Sequence, residues 1–168
     1  MLYSLFKTYL QYTELAMKLL DPVITTIKNL LSPKHIRYVD PVTYTVTVDK
    51  YTEWYSNGKR HKVDGPAVIH EDGHTEWWLN GQHHRTDGPA VIYADGTQLW
   101  YLHGQLHRTD GPAMVYPEGS KYWLLNDQLH RTDGPAIEWA DGTRQWWIND
   151  IQVDELAALA FKYSQDNQ

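Results

Sequence analysis

The tetrapeptide Asp-Gly-Pro-Ala begins at Asp64, Asp87, Asp110 and Asp133, each time 23 residues after the last. A fixed period of this length confines a chain to a row of like units, each resting on its neighbours. Other columns keep the same phase. Trp recurs at 54, 77, 100, 123 and 146. Three residues later stand Asn57, Asn80, Asn126 and Asn149, with His103 as the exception. A His column holds His61, His84, His107 and His130. A second turn signal recurs at Asp72-Gly73, Asp95-Gly96, Glu118-Gly119 and Asp141-Gly142.

Turn chemistry sets the local structure. Asp95-Gly96 and Asn80-Gly81 each separate two runs rich in β-branched and aromatic residues, which predicts two-residue type I′ hairpins with φ > 0 at both central positions. Each unit then holds a long strand, an Asn-Gly turn, a short return strand, the Asp-Gly-Pro bend and another strand. Proline lacks an N–H and marks the bend or an edge. The expected fold is mainly β: an extended hairpin meander over residues 51–152.

Eight Trp and twelve Tyr stand against two Phe. Such rings bury a broad apolar body and keep a polar edge, which suits a thin structure. The Trp column is expected to form the core. By strand alternation the next column (Tyr55, Trp78, Tyr101, Leu124 and Trp147) faces the other way and is the candidate binding surface. There is no cysteine, which excludes disulfides and thiolate metal sites and fits a reducing cytoplasm.

The ends are expected to differ from the array. Residues 1–35 read as a helical hairpin broken at Asp21-Pro22, where Asp caps and Pro opens a second helix. Its apolar faces must be buried against the sheet, a partner or a second copy, so these helices offer a surface for homo-oligomerisation. Lys7, Glu14, Lys18 and Asp21 interrupt the first apolar run, so no leader or membrane span is expected and the protein is read as soluble and cytoplasmic. Residues 36–50 read as a linking strand, with Val42, Tyr44, Val46 and Val48 on one face of what should be the first strand of the sheet. Residues 153–168 read as a capping helix and tail, with Leu156, Leu159, Ala160 and Tyr163 as the buried stripe and Asp154 and Glu155 in the first turn.

The unit from Trp54 through Asn57-Gly58 and His61 to Asp64-Gly65 and Asp72-Gly73 resembles a MORN repeat. That family has a 23-residue period, the order Trp, Asn-Gly, His, Gly, Asp-Gly, and hairpin units in extended arrays. The resemblance covers roughly residues 51–150. Here x-x-Asp-Gly-Pro-Ala replaces Gly-x-Gly after the His, and Tyr-x-Gly before the Trp is missing. The chain thus looks like the divergent Asp-Gly-Pro-Ala branch of MORN-like arrays, familiar from phage, giant-virus and bacterial proteins, and related bacterial arrays are often labelled antitoxins. The resemblance implies binding or scaffolding without intrinsic catalysis.

The His and Asp columns of the repeat also invite a chemical reading. His84-Arg85-Thr86-Asp87 recurs at His107 and His130, and a His three residues from an Asp suits a general base or a metal. Four copies at one spacing argue for a structural role, because catalysis needs one constellation in one pocket. The expectation is no enzyme, no cofactor and no metal. Function in a repeat array is sought where units differ: Lys62-Val63 for Arg-Thr, His103 in the Asn column, Pro117-Glu118 at a turn, and Glu138-Trp139. Tyr55, Trp78, Tyr101, Trp139 and Trp147 are therefore the candidate partner-binding residues.

Charge narrows the partners. Residues 1–50 carry six Lys/Arg against four Asp/Glu, about +2 net; residues 51–168 carry nine against seventeen, about −8 net. An acidic array repels nucleic-acid phosphate and anionic lipid, so no nucleic acid is expected and a membrane is disfavoured. The first expectation is a protein partner held by a scaffold, in sharper form an inhibitor of the anti-defence or antitoxin kind. The alternative is a peripheral membrane or glycan-binding module using the aromatic face.

Overall fold

The computed structural model describes residues 36–38, 42–48 and 50–167. The helical hairpin expected over residues 1–35 lies outside them. The described chain is a hairpin meander, mainly β, ending in one helix. A 13-stranded sheet runs through Ile36–Tyr38, Thr43–Val48 and Tyr51–Ser56, then through one strand pair per repeat, to Arg144–Ile148 and Ile151–Val153. Neighbouring strands pair antiparallel and follow chain order, with Lys59–Arg60 as a side branch on Tyr51–Ser56. Three smaller hairpins flank the sheet: Trp78–Leu79 with Gln82–His83, Tyr101–Leu102 with Gln105–Leu106, and Leu124–Leu125 with Gln128–Leu129. The strand expected to open the sheet is its second: Ile36–Tyr38 precedes it, with Ile36 opposite Val46.

The Trp and Ala columns explain why each unit has two tiers. The N–H groups of Trp54, Trp77, Trp100 and Trp123 donate to the carbonyls of Ala67, Ala90, Ala113 and Ala136 at 2.7–2.8 Å. Beyond each Trp the strand leaves the main ladder and enters the small hairpin. Ala67, Ala90, Ala113 and Ala136 are fully buried at this junction. With Val68, Val91, Leu99, Leu124, Ile137 and Ile148 they form the core among the described residues. The Trp rings are half-buried, not core. An indole is too wide for a ribbon one sheet thick, so the rings lie on its surface, those of Trp54, Trp77, Trp100 and Trp123 beneath a cation.

The two turn columns differ in kind. Asn57-Gly58, Asn80-Gly81 and His103-Gly104 have φ of 51–53° and then 71–83°, and Asn126-Asp127 and Asn149-Asp150 follow the same course. These match the expected type I′ turn. The Asp-Gly turns do not. There Gly73, Gly96, Gly119 and Gly142 alone take positive φ, and Gly96 N–H closes on the Tyr93 carbonyl at 2.9 Å. This is the three-residue hairpin, a type I turn followed by a left-handed glycine. The carboxylates of Asp72, Asp95 and Asp141 accept the N–H two residues on, at 2.8–2.9 Å, and hold the turn.

The chain closes with helix α1 (Glu155–Asp166), capped by Asp154, whose carboxylate accepts the Ala157 N–H at 2.7 Å. It lies against Arg144–Ile148. The stripe expected to be buried points outward instead. Leu156, Leu159 and Tyr163 are 78%, 53% and 73% exposed, whereas Ala158 is buried and Phe161 half-buried. Small Ala158 admits the helix close to the sheet, which turns the larger side chains away. Among the described residues no helix is long and apolar enough to cross a membrane.

Candidate functional site

The Trp face carries a repeated clamp. Arg85, Arg108 and Arg131 stack their guanidinium groups 4.0–4.2 Å from the ring centres of Trp77, Trp100 and Trp123. Each Nε donates to the Asp two residues on at 2.8 Å, and each Nη1 donates to the proline carbonyl four residues on at 3.1–3.3 Å. The arginine hydrogen bond and charge hold Asp87, Asp110 and Asp133 below the usual carboxylate range. A Cβ on Gly88, Gly111 or Gly134 would sit 2.8–2.9 Å from the guanidinium carbon, so a larger residue there would displace the stacked arginine. In the first unit Lys62 replaces the arginine, its Nζ 3.7 Å from the Trp54 ring, and burial lowers its pKa. Open grooves lie between successive clamps. One of about 610 Å³ is lined by Trp100 and Leu102 together with Asp87, Asp110 and the arginines of both clamps.

The His column joins units rather than serving the Asp column. Nδ1 of His61, His107 and His130 faces the side-chain amide of Asn80, Asn126 and Asn149 at 2.7–3.0 Å, nineteen residues on. Where His103 replaces Asn, His84 Nδ1 accepts the His103 N–H at 3.1 Å. Burial, then the neighbouring His103, lower the His84 pKa. The two halves of the pairs at His84, His107 and His130 thus go to different partners: His to the next unit, Asp to the Arg between them. A general-base pairing is not what this geometry builds.

The opposite face holds the candidate binding residues. Tyr55, Trp78, Tyr101 and Trp147 form one half-buried column, and Leu124 in the same column is buried. Trp139 shares the face by alternation with Ile137, but stands at the Asp-Gly turn end of its unit, edge-on to Tyr122 at 6.4 Å. The structure therefore brings four of the five together and leaves the fifth across the buried Val/Leu stripe. Three bond the residue two positions earlier: Tyr55 Oη to Glu53 at 2.7 Å, Trp78 Nε1 to Glu76 at 2.6 Å, and Trp147 Nε1 to Gln145 at 3.0 Å. Tyr44 stacks on Tyr55 at 5.1 Å, and Arg60 covers Trp78 at 5.1 Å.

This face is graded along its length. At the N-terminal end Glu53 is buried and paired with Arg60. Burial, then the hydrogen bond and charge of Glu53, push the Tyr55 hydroxyl up to about 12. Burial opposes ionisation of Glu76, but hydrogen bonds from His83 and Trp78 and the charges of His83 and His74 outweigh it and bring Glu76 down to about 2. Towards the C-terminus the same positions hold Leu99, Tyr122, Leu106 and Leu129.

One group of side chains with metal-binding chemistry stands among the described residues, and the column reading passed over it. Ligand atoms of His70, His74 and Glu76 all lie within 4.8 Å of one another. The signal was present: His70 stands where other units have Tyr93, Tyr116 and Trp139, and His74 where they have Thr97, Ser120 and Thr143.

Fold and surface together define a β-hairpin repeat array whose His, Arg and Asp columns bond within and between its units. Compared with protein-family models, with curated proteins and with solved structures, the chain matches none.

Proposed function

We propose that this chain is a non-catalytic scaffold that binds another protein and blocks it, with helix α1 as the principal contact. The observation that carries the reading is the outward stripe of Leu156, Leu159 and Tyr163 on α1, with Ile151 66% exposed on the strand before it. Residues at i, i+3 and i+7 share one helical face, and exposed apolar side chains grouped in this way are costly unless a partner covers them. The acidic array beside the helix, nine Lys/Arg against seventeen Asp/Glu, favours a partner with basic residues around its apolar contact. The MORN-like pattern of the units supports binding over catalysis, and the Asp-Gly-Pro-Ala branch supports the narrower reading of an anti-defence or antitoxin-type inhibitor.

The test is affinity capture with the wild-type chain beside a Leu156→Glu/Leu159→Glu variant, each matched for folding by circular dichroism. The reading expects a protein retained by the wild type and lost from the variant, with its activity inhibited by the wild type. Recovery of the same proteins by both chains, or of none by either, would sink it.

A further inference from the structure

We propose that His70, His74 and Glu76 form a zinc site, independent of the helix face described above. His70 and His74 stand opposite each other across the Asp72-Gly73 turn, where His70 N–H donates to the His74 carbonyl at 2.9 Å. Strand alternation places Glu76, two residues further on, on the same face. The two imidazole rings are 4.8 Å apart between centres. All three residues are half-buried, so the donor atoms are partly withdrawn from water without being sealed.

The carboxylate is already oriented. Its Oε2 accepts Trp78 Nε1 at 2.6 Å and lies 3.0 Å from His83 Nε2. That leaves Oε1 directed at His74 Nε2, 3.0 Å away. The contact is close but not aligned as a hydrogen bond, and His74 Nε2 remains shielded from solvent with no hydrogen-bond partner. A buried nitrogen left so loses its interaction with water and gains nothing in return. A cation between Nε2 and Oε1 would satisfy both. Tyr51 packs against His70 at 5.4 Å and Tyr93 edge-on to His74 at 4.7 Å, walling the two rings.

The donor set selects the metal. Two imidazole nitrogens and one carboxylate oxygen suit zinc rather than calcium or magnesium, which demand oxygen. Tetrahedral zinc with bonds near 2.0–2.1 Å spaces its ligand atoms by about 3.4 Å. His74 Nε2 and Glu76 Oε1, 3.0 Å apart, open slightly to reach that spacing, and the separations to His70, all within 4.8 Å, close to it by side-chain rotation. Three protein ligands leave a fourth position for water or for a donor from a bound partner. Trp78 and His83 then act as the outer partners that hold the ligating carboxylate.

Zinc chloride is titrated into the full chain against a chromophoric chelator, and cobalt substitution is followed by visible absorption. Wild type is expected to take one equivalent and to show the intense bands of four-coordinate cobalt. Glu76→Gln, which keeps the shape and the possibility of folding, and His74→Gln should each weaken binding at least about tenfold. His103→Asn, at a histidine outside the cluster, should leave it unchanged. Should His74→Gln fail to fold by circular dichroism, Glu76→Gln decides alone. Equal zinc affinity in wild type and Glu76→Gln, or no zinc bound by the wild type, overturns the site.

Discussion

Arg108 covers Trp100, bonds Asp110 and carries the Pro112 carbonyl, so one side chain fixes both the surface ring and the bend. Gly111 makes room for it, since a Cβ there would lie 2.9 Å from the guanidinium carbon. A Gly→Ala change at ordinary φ stabilises a chain by about 0.4–1 kcal/mol through the unfolded state. Here the sign should invert. Gly111→Ala and Arg108→Ala should each cost about 1–2 kcal/mol in urea unfolding, because each dislodges the stacked cation. Gly111→Ala placed on Arg108→Ala should cost nothing further. Additive losses would show that the clamp is not the cause.

His84 gives a pH dependence of known sign. Its folded pKa is lowered, by burial and by His103, below the ordinary value near 6.5. The unfolded chain therefore binds the extra proton first. Stability from this site is full above about pH 6.5 and is lost as pH falls through the folded pKa. His103→Asn restores the amide found in the other units and removes the neighbouring charge. The variant should lose less melting temperature between pH 7.5 and pH 5 than the wild type. An equal loss in both would mean that this pair does not govern acid sensitivity.

At the level of single elements, sequence patterns differed in what they could reveal. The Asn-Gly turns were legible because the residues needing φ > 0 are the ones that tolerate it. The Asp-Gly turns were misread as the same type, because the dipeptide does not show how many residues the loop contains. Helix α1 was legible in existence but not in orientation. Its periodicity marks an apolar stripe, yet packing is decided by which side fits against the strand Arg144–Ile148, and Ala158 fits closest. Ala158→Leu should therefore destabilise by about 1–3 kcal/mol through overpacking. Leu156→Glu should stay within about 0.5 kcal/mol, as for an exposed position. Thermal melts of the two variants check this, and the reverse order would mean that the stripe is covered.

The whole molecule is a sum of neighbouring units. Ladders and the His contacts nineteen residues on join each unit to the next. Removing residues 91–113 brings Ala90 next to Met114 and keeps every column in phase. That chain should remain soluble with the β spectrum of the parent and a urea slope reduced in proportion to the area lost. Removing one residue fewer, 92–113, shifts the following strand by one and turns its apolar face outward. That chain should aggregate or unfold. Periodicity was readable over this distance because every unit repeats the instruction. The His70–His74–Glu76 group was not, because its members belong to three separate columns and meet only once the hairpin closes.

The regular spacing of the clamps has a consequence for recognition. Each unit is two strands wide, so the outward carboxylates of Asp87, Asp110 and Asp133 recur about every 10 Å along one rim. A molecule reading that rim alone meets equivalent berths and has no reason to prefer one over the next. An address must come from where the pattern stops. On the function proposed above, the C-terminal helix is that landmark, turning a sliding track into a fixed mooring.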